Sequence, residues 1–286
     1  MANYTSEASE SPDESRRRAE NYAPHLNATV WFLTAISAIF LGLRVFVKVW
    51  RKRRVRCDDC ILVLGWIALA VSTAMITLCT TFGLGRHGRY IRPEDLSNLL
   101  MTSYFAGFAS TLAVIWSKTS FAVTLLNISE GTTRKVVWFV LISANVVLGL
   151  NATLQFVQCW PPSRAWHPGA PGKCWLGIER VRAYNIFVAA YSGATDIVLA
   201  LLPWKIIGHM KIRKKEKYGA LFAMSMGVFA GITSFLKITS LGAIGNVDLI
   251  TMVNLFIFGT AEGATTIIAA SVPILRALLH RQEAPP

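Results

Sequence analysis

Long unbroken stretches of apolar residues are the feature that most restricts what this chain can form. The hydrocarbon core of a bilayer is about 30 Å thick and a helix rises 1.5 Å per residue, so about 20 apolar residues cross it. Seven stretches reach that length. They cover residues 26–47, 60–82, 97–126, 136–157, 184–207, 218–241 and 251–275. We therefore predict an all-α polytopic membrane protein with seven transmembrane helices.

Composition supports a chain surrounded by lipid. Hydrophobic residues make up 53% of it and charged residues only 16%, whereas the surface of a soluble domain needs more charge to face water. A membrane β-barrel is disfavoured, because its strands alternate in polarity over about ten residues. We expect a polar N-terminal tail over residues 1–25, a transmembrane domain over 26–276 and a short cytosolic tail over 277–286.

The distribution of Lys and Arg predicts the orientation. The two segments richest in these residues, 48–56 and 205–217, hold six each and follow the first and fifth apolar blocks. Connections after odd-numbered helices lie on one side of the membrane, and basic loops stay in the cytosol. We therefore expect the N-terminus outside and the C-terminus in the cytosol. We expect the protein in the plasma membrane rather than in an internal membrane.

The net charge of +13 raises the question of nucleic-acid binding. The basic residues lie in loops between apolar blocks, without the interleaved aromatic residues that stack bases. Lipid headgroups are the simpler partners of such loops. We predict no nucleic-acid partner, and residues 205–217 are a candidate contact for a cytosolic signalling protein.

The cysteines and sequons concern the loops. Cys159 and Cys174 flank a segment expected outside, where disulfides form, and we predict that they pair; two free thiols are the alternative. Cys57 and Cys60 have no second pair to complete a zinc site, so no metal is predicted. Asn3 is the candidate glycosylation site, since it lies in a sequon well before the first helix.

Ionisable residues inside apolar blocks are costly in hydrocarbon, and each is a candidate functional position. One group lies towards the expected cytosolic side. It comprises Arg44 near the end of the first block, Asp58 and Asp59 before the second, and Lys118 in the inner half of the third. These four residues are predicted to form one ion network, acting either as a structural latch between helices or as a conformational switch.

A second group lies deeper. Asp196 and Glu262 fall near the middle of the fifth and seventh blocks, and the long side chain of Lys237 can reach towards them. This cluster is either a helix-packing pair or a site for a ligand or a proton. The turn after the second block holds three glycines and His87, which is a candidate contact residue or metal ligand, although a lone loop histidine is usually neither.

The order of these features resembles the fungal rhodopsin-domain integral membrane proteins, which are related to the Pth-type receptors and to membrane proteins of secondary-metabolite gene clusters. The resemblance covers the seven blocks. It is carried by Asp58-Asp59, Gly83-Leu84-Gly85-Arg86-His87, Lys118 with Ser120 and Leu125-Leu126, Cys159, Pro161, Trp166, Cys174, Asp196 with Pro203, and Glu262 with Ile267-Ile268-Ala269-Ala270, Pro273, Leu275 and Arg276. Retinal is not expected, because the last block has no lysine for a Schiff base, and no other cofactor is predicted.

The resemblance implies a receptor-like or accessory membrane protein, with a role in secondary metabolism as a further expectation. A small hydrophobic molecule is a candidate ligand. Two alternatives stay open. A membrane-embedded biosynthetic enzyme, such as a cyclase or isomerase, would use Asp196 and Glu262 as general acid and base. A transporter is disfavoured, since the internal repeat common to many transporter folds is missing from the sequence. No residue is assigned a catalytic role.

Overall fold

The computed structural model describes residues 21–51, 56–85, 92–127, 129–167, 169–208, 214–242 and 249–279. These residues form seven long helices and one short hairpin. The helices are α1 (Ala23–Trp50), α2 (Cys57–Thr81), α3 (Pro93–Leu126), α4 (Gly131–Val157), α5 (Ile178–Gly208), α6 (Lys214–Gly242) and α7 (Leu249–Leu279), and the strands are β1 (Cys159–Trp160) and β2 (Lys173–Cys174). Each predicted apolar block coincides with one helix, and the all-α helical prediction is confirmed.

Six of the seven helices, all except α6, are long and apolar enough within the described residues to cross a membrane. A helix satisfies its backbone hydrogen bonds internally, which is what hydrocarbon demands of a spanning segment. The chain is thus a multi-pass helical membrane protein. That α6 also crosses, and which end of the bundle faces the cytosol, stay predictions.

The outward faces of the helices are apolar. On α4, Phe139, Ile142, Val146 and Leu150 follow each other at helical spacing and are each more than half exposed. An apolar surface of this kind would be a liability in water, but it matches lipid chains. The polar and charged side chains described below lie inside the bundle instead.

Helix α7 lies at the centre of the packing. It contacts α1, α2, α3 and α6. In its most apolar 18-residue stretch, 78% of the residues are buried, whereas the corresponding share is 28–50% in the other five helices that could span a membrane. Its small residues, Ala264, Ala269 and Ala270, are almost inaccessible. This central position allows α7 to contribute groups to more than one internal site.

Glycines bring α5 and α6 into close contact. A Cβ added to Gly231 would lie 2.7 Å from Cγ1 of Ile197, and one added to Gly227 would lie 2.5 Å from Cβ of Ala200. Both distances are shorter than atoms tolerate, so the absence of a side chain sets the helix separation, as small residues do in other membrane bundles.

A disulfide-linked hairpin covers one end of the bundle, called here the disulfide side. Cys159 of β1 is bonded to Cys174 of β2, which confirms the predicted disulfide. The sequence did not predict the two strands, which are only two residues long and are held together by the cross-link. The connection packs on α3, where the hydroxyl of Ser97 donates to the carbonyl oxygen of Trp166 at 3.0 Å.

The turn after α2 lies at the same end. Gly83 and Gly85 have φ values of 105° and 96°, which only glycine adopts freely. The carbonyl oxygen of Gly85 accepts a hydrogen bond from the amide of Tyr22, at the start of α1. The turn therefore fixes where α1 begins.

Replacing Gly231 by leucine should destabilise the bundle, because the new side chain would overlap Ile197 across the α5–α6 contact. Overpacking of this kind costs about 1–3 kcal/mol. We expect a lower midpoint of thermal unfolding in detergent micelles. Gly42→Leu is the matched control, since a Cβ at Gly42 meets nothing within 4 Å; equal melting temperatures for the two variants would show that the α5–α6 contact is not tight.

Candidate functional site

An ion cluster joins α1 and α2 on the side opposite the hairpin. We call Arg44, Lys48, Asp58 and Asp59 the Arg44 cluster. The Arg44 guanidinium donates from Nε to Asp59 at 2.9 Å and from Nη2 to Asp58 at 2.7 Å. Nζ of Lys48 lies 2.6 Å from both Asp59 oxygens and 3.6 Å from Asp58. The two cations and two carboxylates balance each other in a buried position.

The local sequence explains this geometry. Arg44 and Lys48 are one helical turn apart and so share a face of α1. Asp58 and Asp59 lie in the first turn of α2, where the unpaired amides and the helix dipole favour carboxylates, and Asp59 accepts from the backbone amide of Arg56 at 3.2 Å. Both ends of the ion pairs are therefore held by helix geometry.

Two further helices contact the Arg44 cluster. Nη1 of Arg44 donates to the carbonyl oxygen of Ala270 on α7 at 2.5 Å. On α3, the hydroxyl of Ser120 donates to the backbone carbonyl oxygen of Asp58 at 2.6 Å. The cluster consequently ties together α1, α2, α3 and α7.

A second cluster lies deeper in the bundle. We call Lys118, Asp196, Lys237 and Glu262 the Glu262 cluster. Nζ of Lys118 is 3.1 Å from Asp196 and 3.4 Å from Glu262, and Lys237 forms an ion pair with the other oxygen of Glu262. The hydroxyl of Ser192 accepts from Lys118 and donates to Glu262, both at 2.6 Å. Four helices, α3, α5, α6 and α7, meet here.

Charge balance makes the Glu262 cluster possible. The side chains of Lys118, Asp196 and Glu262 are at most 3% exposed, whereas Lys237 is 17% exposed. An isolated charge at this depth would cost several kcal/mol. Two positive and two negative groups compensate one another, and removing one partner leaves an unpaired buried charge.

The structure corrects one sequence prediction. Lys118 was expected in the network of Arg44, Asp58 and Asp59, but it binds Asp196 and Glu262 instead. Helical side chains lean towards the N-terminus of their helix. Because α3 begins at the disulfide side, the ammonium group of Lys118 lies nearer that side than its position along the helix suggests.

Lys48 is a cluster member that the sequence analysis missed. It was counted as a loop residue, because it stands in the basic run after the first apolar block. It lies inside α1 and is only 8% exposed. Its spacing of four residues from Arg44 was the signal that could have found it.

The remaining candidates are only partly described. The structure brings together the predicted cluster of Asp196, Lys237 and Glu262. Glu262 pairs with Lys237, and Lys118 pairs with both Asp196 and Glu262. Among the described residues, no ion pair joins Asp196 to Lys237 directly. His87 and Asn3 lie outside the described residues, as does the loop between α5 and α6, residues 209–213. Their predicted roles are untested.

Two adjacent cavities, together called the cleft, lie between the disulfide side and the Glu262 cluster. Its outer chamber has a volume of about 280 Å³ and its inner chamber about 180 Å³, and six residues line both. The outer chamber is lined mainly by apolar side chains, including Leu176 beside the hairpin. Ser192, Lys237 and Glu262 line the inner chamber. The partly exposed side chain of Lys237 is thus accessible from this cleft.

Three carboxamides lie where the two chambers meet. Asn151 and Gln155 of α4 and Asn185 of α5 line both chambers. Gly107 of α3 lies opposite, and a Cβ added there would be 3.7 Å from the Gln155 amide. Sequence analysis did not select these residues, because single amides in apolar helices carry no recognisable motif.

Among protein-family models, the fungal rhodopsin domain matches residues 43–281, which include both ion clusters and the cleft. No curated protein matches the chain.

Glu262→Gln should destabilise the protein strongly. The substitution leaves two lysines facing the single carboxylate of Asp196, and breaking a buried ion pair costs about 3–5 kcal/mol. We expect a large fall in the thermal unfolding midpoint in detergent micelles. The double variant Lys237→Met with Glu262→Gln restores charge balance and should recover part of that loss.

Glu179→Gln is the control for this cycle. Glu179 pairs with Arg182 at the surface, where its side chain is 77% exposed, and such pairs contribute about 0–1 kcal/mol. If Glu262→Gln were as mild as this control, the Glu262 cluster would not be an important source of stability.

Proposed function

This chain belongs to the fungal rhodopsin domain family, and on that premise we propose that it is a receptor-like protein of the plasma membrane. In this proposal all seven helices span the bilayer, with the N-terminus outside and the C-terminus in the cytosol. A small, largely apolar ligand binds in the cleft, and its presence is signalled to a cytosolic partner at residues 205–217.

The observation that carries the proposal is the path from the cleft to the Glu262 cluster. The inner chamber ends at Lys237 and Glu262, and Glu262 is in turn bonded to Lys118 and Ser192. A molecule in the chamber therefore contacts groups on which four helices converge. Concave, mostly apolar cavities with a few polar groups are typical small-molecule sites.

Two helices connect the clusters to each other. Glu262 and Ala270 are eight residues apart on α7, or about 12 Å, and Ala270 accepts from Arg44. On α3, Lys118 belongs to one cluster and Ser120 contacts the other. A ligand that binds two arrangements of these helices with different affinities would shift the equilibrium between them. Because α3 and α7 contact both clusters, a small displacement of either helix at the cleft would also change the contacts of the Arg44 cluster.

The enzyme alternative receives less support. A general acid and base must both reach the substrate. Glu262 lines the cleft, but Asp196 is not among its lining residues, and each is paired with a lysine. No observation on the described residues favours transport, and a role in secondary metabolism stays a prediction.

The topology can be tested with the cysteines that the chain already carries. Cys57 and Cys60 are free and exposed at the start of α2, whereas the third free cysteine, Cys79, is buried. In the proposed orientation, Cys57 and Cys60 face the cytosol. A membrane-impermeant maleimide should leave them unmodified in intact cells and modify them after permeabilisation, as measured by mass spectrometry.

A cysteine placed in the N-terminal tail supplies the opposite control. In a Cys57→Ser, Cys60→Ser background, Asn3→Cys should be modified in intact cells. Labelling of Cys57 in intact cells, with protection of the cysteine at position 3, would reverse the proposed orientation.

Filling the cleft should abolish signalling. Gly107→Leu places a side chain at the junction of the chambers, next to Gln155. The readout is the set of transcripts that change when the gene is deleted. We expect complementation with the wild-type gene to restore these transcripts, and complementation with Gly107→Leu to fail although the protein reaches the membrane in normal amount.

Two further variants complete the experiment. Gly149→Leu is the matched control on α4, because a Cβ there meets nothing within 4 Å, and it should complement. Reversing the charges of Lys214, Lys215 and Lys217 should fail to complement if a cytosolic partner binds there. Full complementation by Gly107→Leu would exclude the cleft as the signalling site.

A further inference from the structure

The carboxamides at the junction of the two chambers have no partners among the described residues. Oε1 of Gln155 is buried and accepts no hydrogen bond, and the half-buried side chains of Asn151 and Asn185 form none with the described part of the chain. Asn145, which is also on α4 but does not line the cleft, is hydrogen-bonded: its amide donates to Thr119 and to the carbonyl oxygen of Leu141. Three unpaired amides thus converge on one cavity.

The buried Oε1 of Gln155 needs a partner, and the half-buried amides of Asn151 and Asn185 line the same junction. Leaving a buried polar group without a hydrogen bond costs about 1–3 kcal/mol, and apolar residues could fill the same space at no such cost. Apolar side chains, including Leu154, Leu255 and Phe256, surround these amides. A polar group enclosed by apolar walls is the complement of an apolar molecule with a polar group along its length.

The chemistry of the amides defines that polar group. The buried oxygen of Gln155 is a hydrogen-bond acceptor, so its partner must donate a hydrogen bond. The carboxamides of Asn151 and Asn185 each carry two N–H donors and an acceptor oxygen, so they can bond an acceptor on the same ligand group. A hydroxyl group does both, whereas an ether or a ketone only accepts.

The charges at the inner end indicate a neutral molecule. Among the described residues that line the cleft, Lys237 is the cation, and Glu262 already neutralises it. A ligand carboxylate at Lys237 would compete with Glu262 and add a third negative charge beside Asp196. A neutral ligand leaves the balance of two cations and two carboxylates intact.

The volumes of the two chambers indicate how long the ligand is. Drug-sized ligands occupy cavities of about 300–1,000 Å³, and neither chamber alone, at about 280 and 180 Å³, reaches that range. The amides lie between the chambers, so an elongated molecule that occupies both would have its polar group near the middle.

We propose that the cleft binds a neutral, elongated, largely apolar molecule bearing a hydroxyl group, which is recognised by Asn151, Gln155 and Asn185. This inference rests on the proposed function, because it names the ligand class of the same cleft. It is independent of whether binding produces a signal.

The test uses photoaffinity probes on the full chain in phosphatidylcholine nanodiscs. The probes are a linear twelve-carbon chain with a mid-chain hydroxyl group and a terminal diazirine, the methyl ether of this alcohol, and the same chain with a carboxylic acid at its other end in place of the hydroxyl group. Labelled residues are located by mass spectrometry, and apparent affinities are obtained from competition with the unlabelled compounds. We expect the alcohol to label helices that line the cleft and to bind about tenfold more tightly than the ether, the difference one lost donor produces.

Substitutions at two carboxamides separate recognition from general packing. Gln155→Leu removes the unpaired amide and should reduce the preference for the alcohol over the ether to about twofold or less. Asn145→Leu removes an amide from the same helix outside the cleft and should keep the preference. Thermal unfolding midpoints show whether each variant is folded, and Gln155→Leu should not be less stable than the wild type.

The outcomes separate this inference from the proposed function. Labelling of the cleft by alcohol and ether alike, unchanged by Gln155→Leu, would overturn the hydroxyl inference and leave the ligand cleft standing. A preference for the acid that disappears in Lys237→Met would overturn the neutral ligand in the same way. Absence of saturable labelling in the cleft by every probe would count against both.

Discussion

The ammonium group of Lys118, held between Asp196 and Glu262, is the interaction on which the interior of this protein depends. Water does not compensate charges at this depth, so each must find its partner on another helix. Lys237 completes the set by neutralising the second oxygen of Glu262. The arrangement of α3, α5, α6 and α7 is therefore fixed by the need for charge balance as well as by the close glycine contacts of α5 and α6.

The same groups connect the cleft to the rest of the bundle. Glu262 and Lys237 are at once members of a buried ion cluster and lining residues of the inner chamber. Helix α7 carries this region towards Ala270, where the Arg44 cluster begins. An occupant of the cleft thus meets the charges that hold the helices together, which distinguishes this cleft from a gap between apolar faces.

Some site residues could be found from sequence because of where their charge falls. Arg44, Asp58, Asp59, Asp196 and Glu262 stand out in or beside apolar helices, where ionisable groups are rare. Their partners were harder to assign. Lys118 was assigned to the wrong cluster, since residue counting along a helix ignores the direction in which a long side chain leans. Lys48 was hidden in a basic run, and the amides at the cleft carry no charge to mark them.

The sequence by itself determined that lipid surrounds the chain and where its helices lie, because hydropathy over about 20 residues depends only on neighbouring positions along the chain. It also identified Cys159 and Cys174 as partners, since they flank one loop. Only the tertiary structure decided which charges pair and which side chains share a cavity. Those relations depend on the rotation and depth of each helix against its neighbours, and hydrophobic blocks of similar length are compatible with many such arrangements.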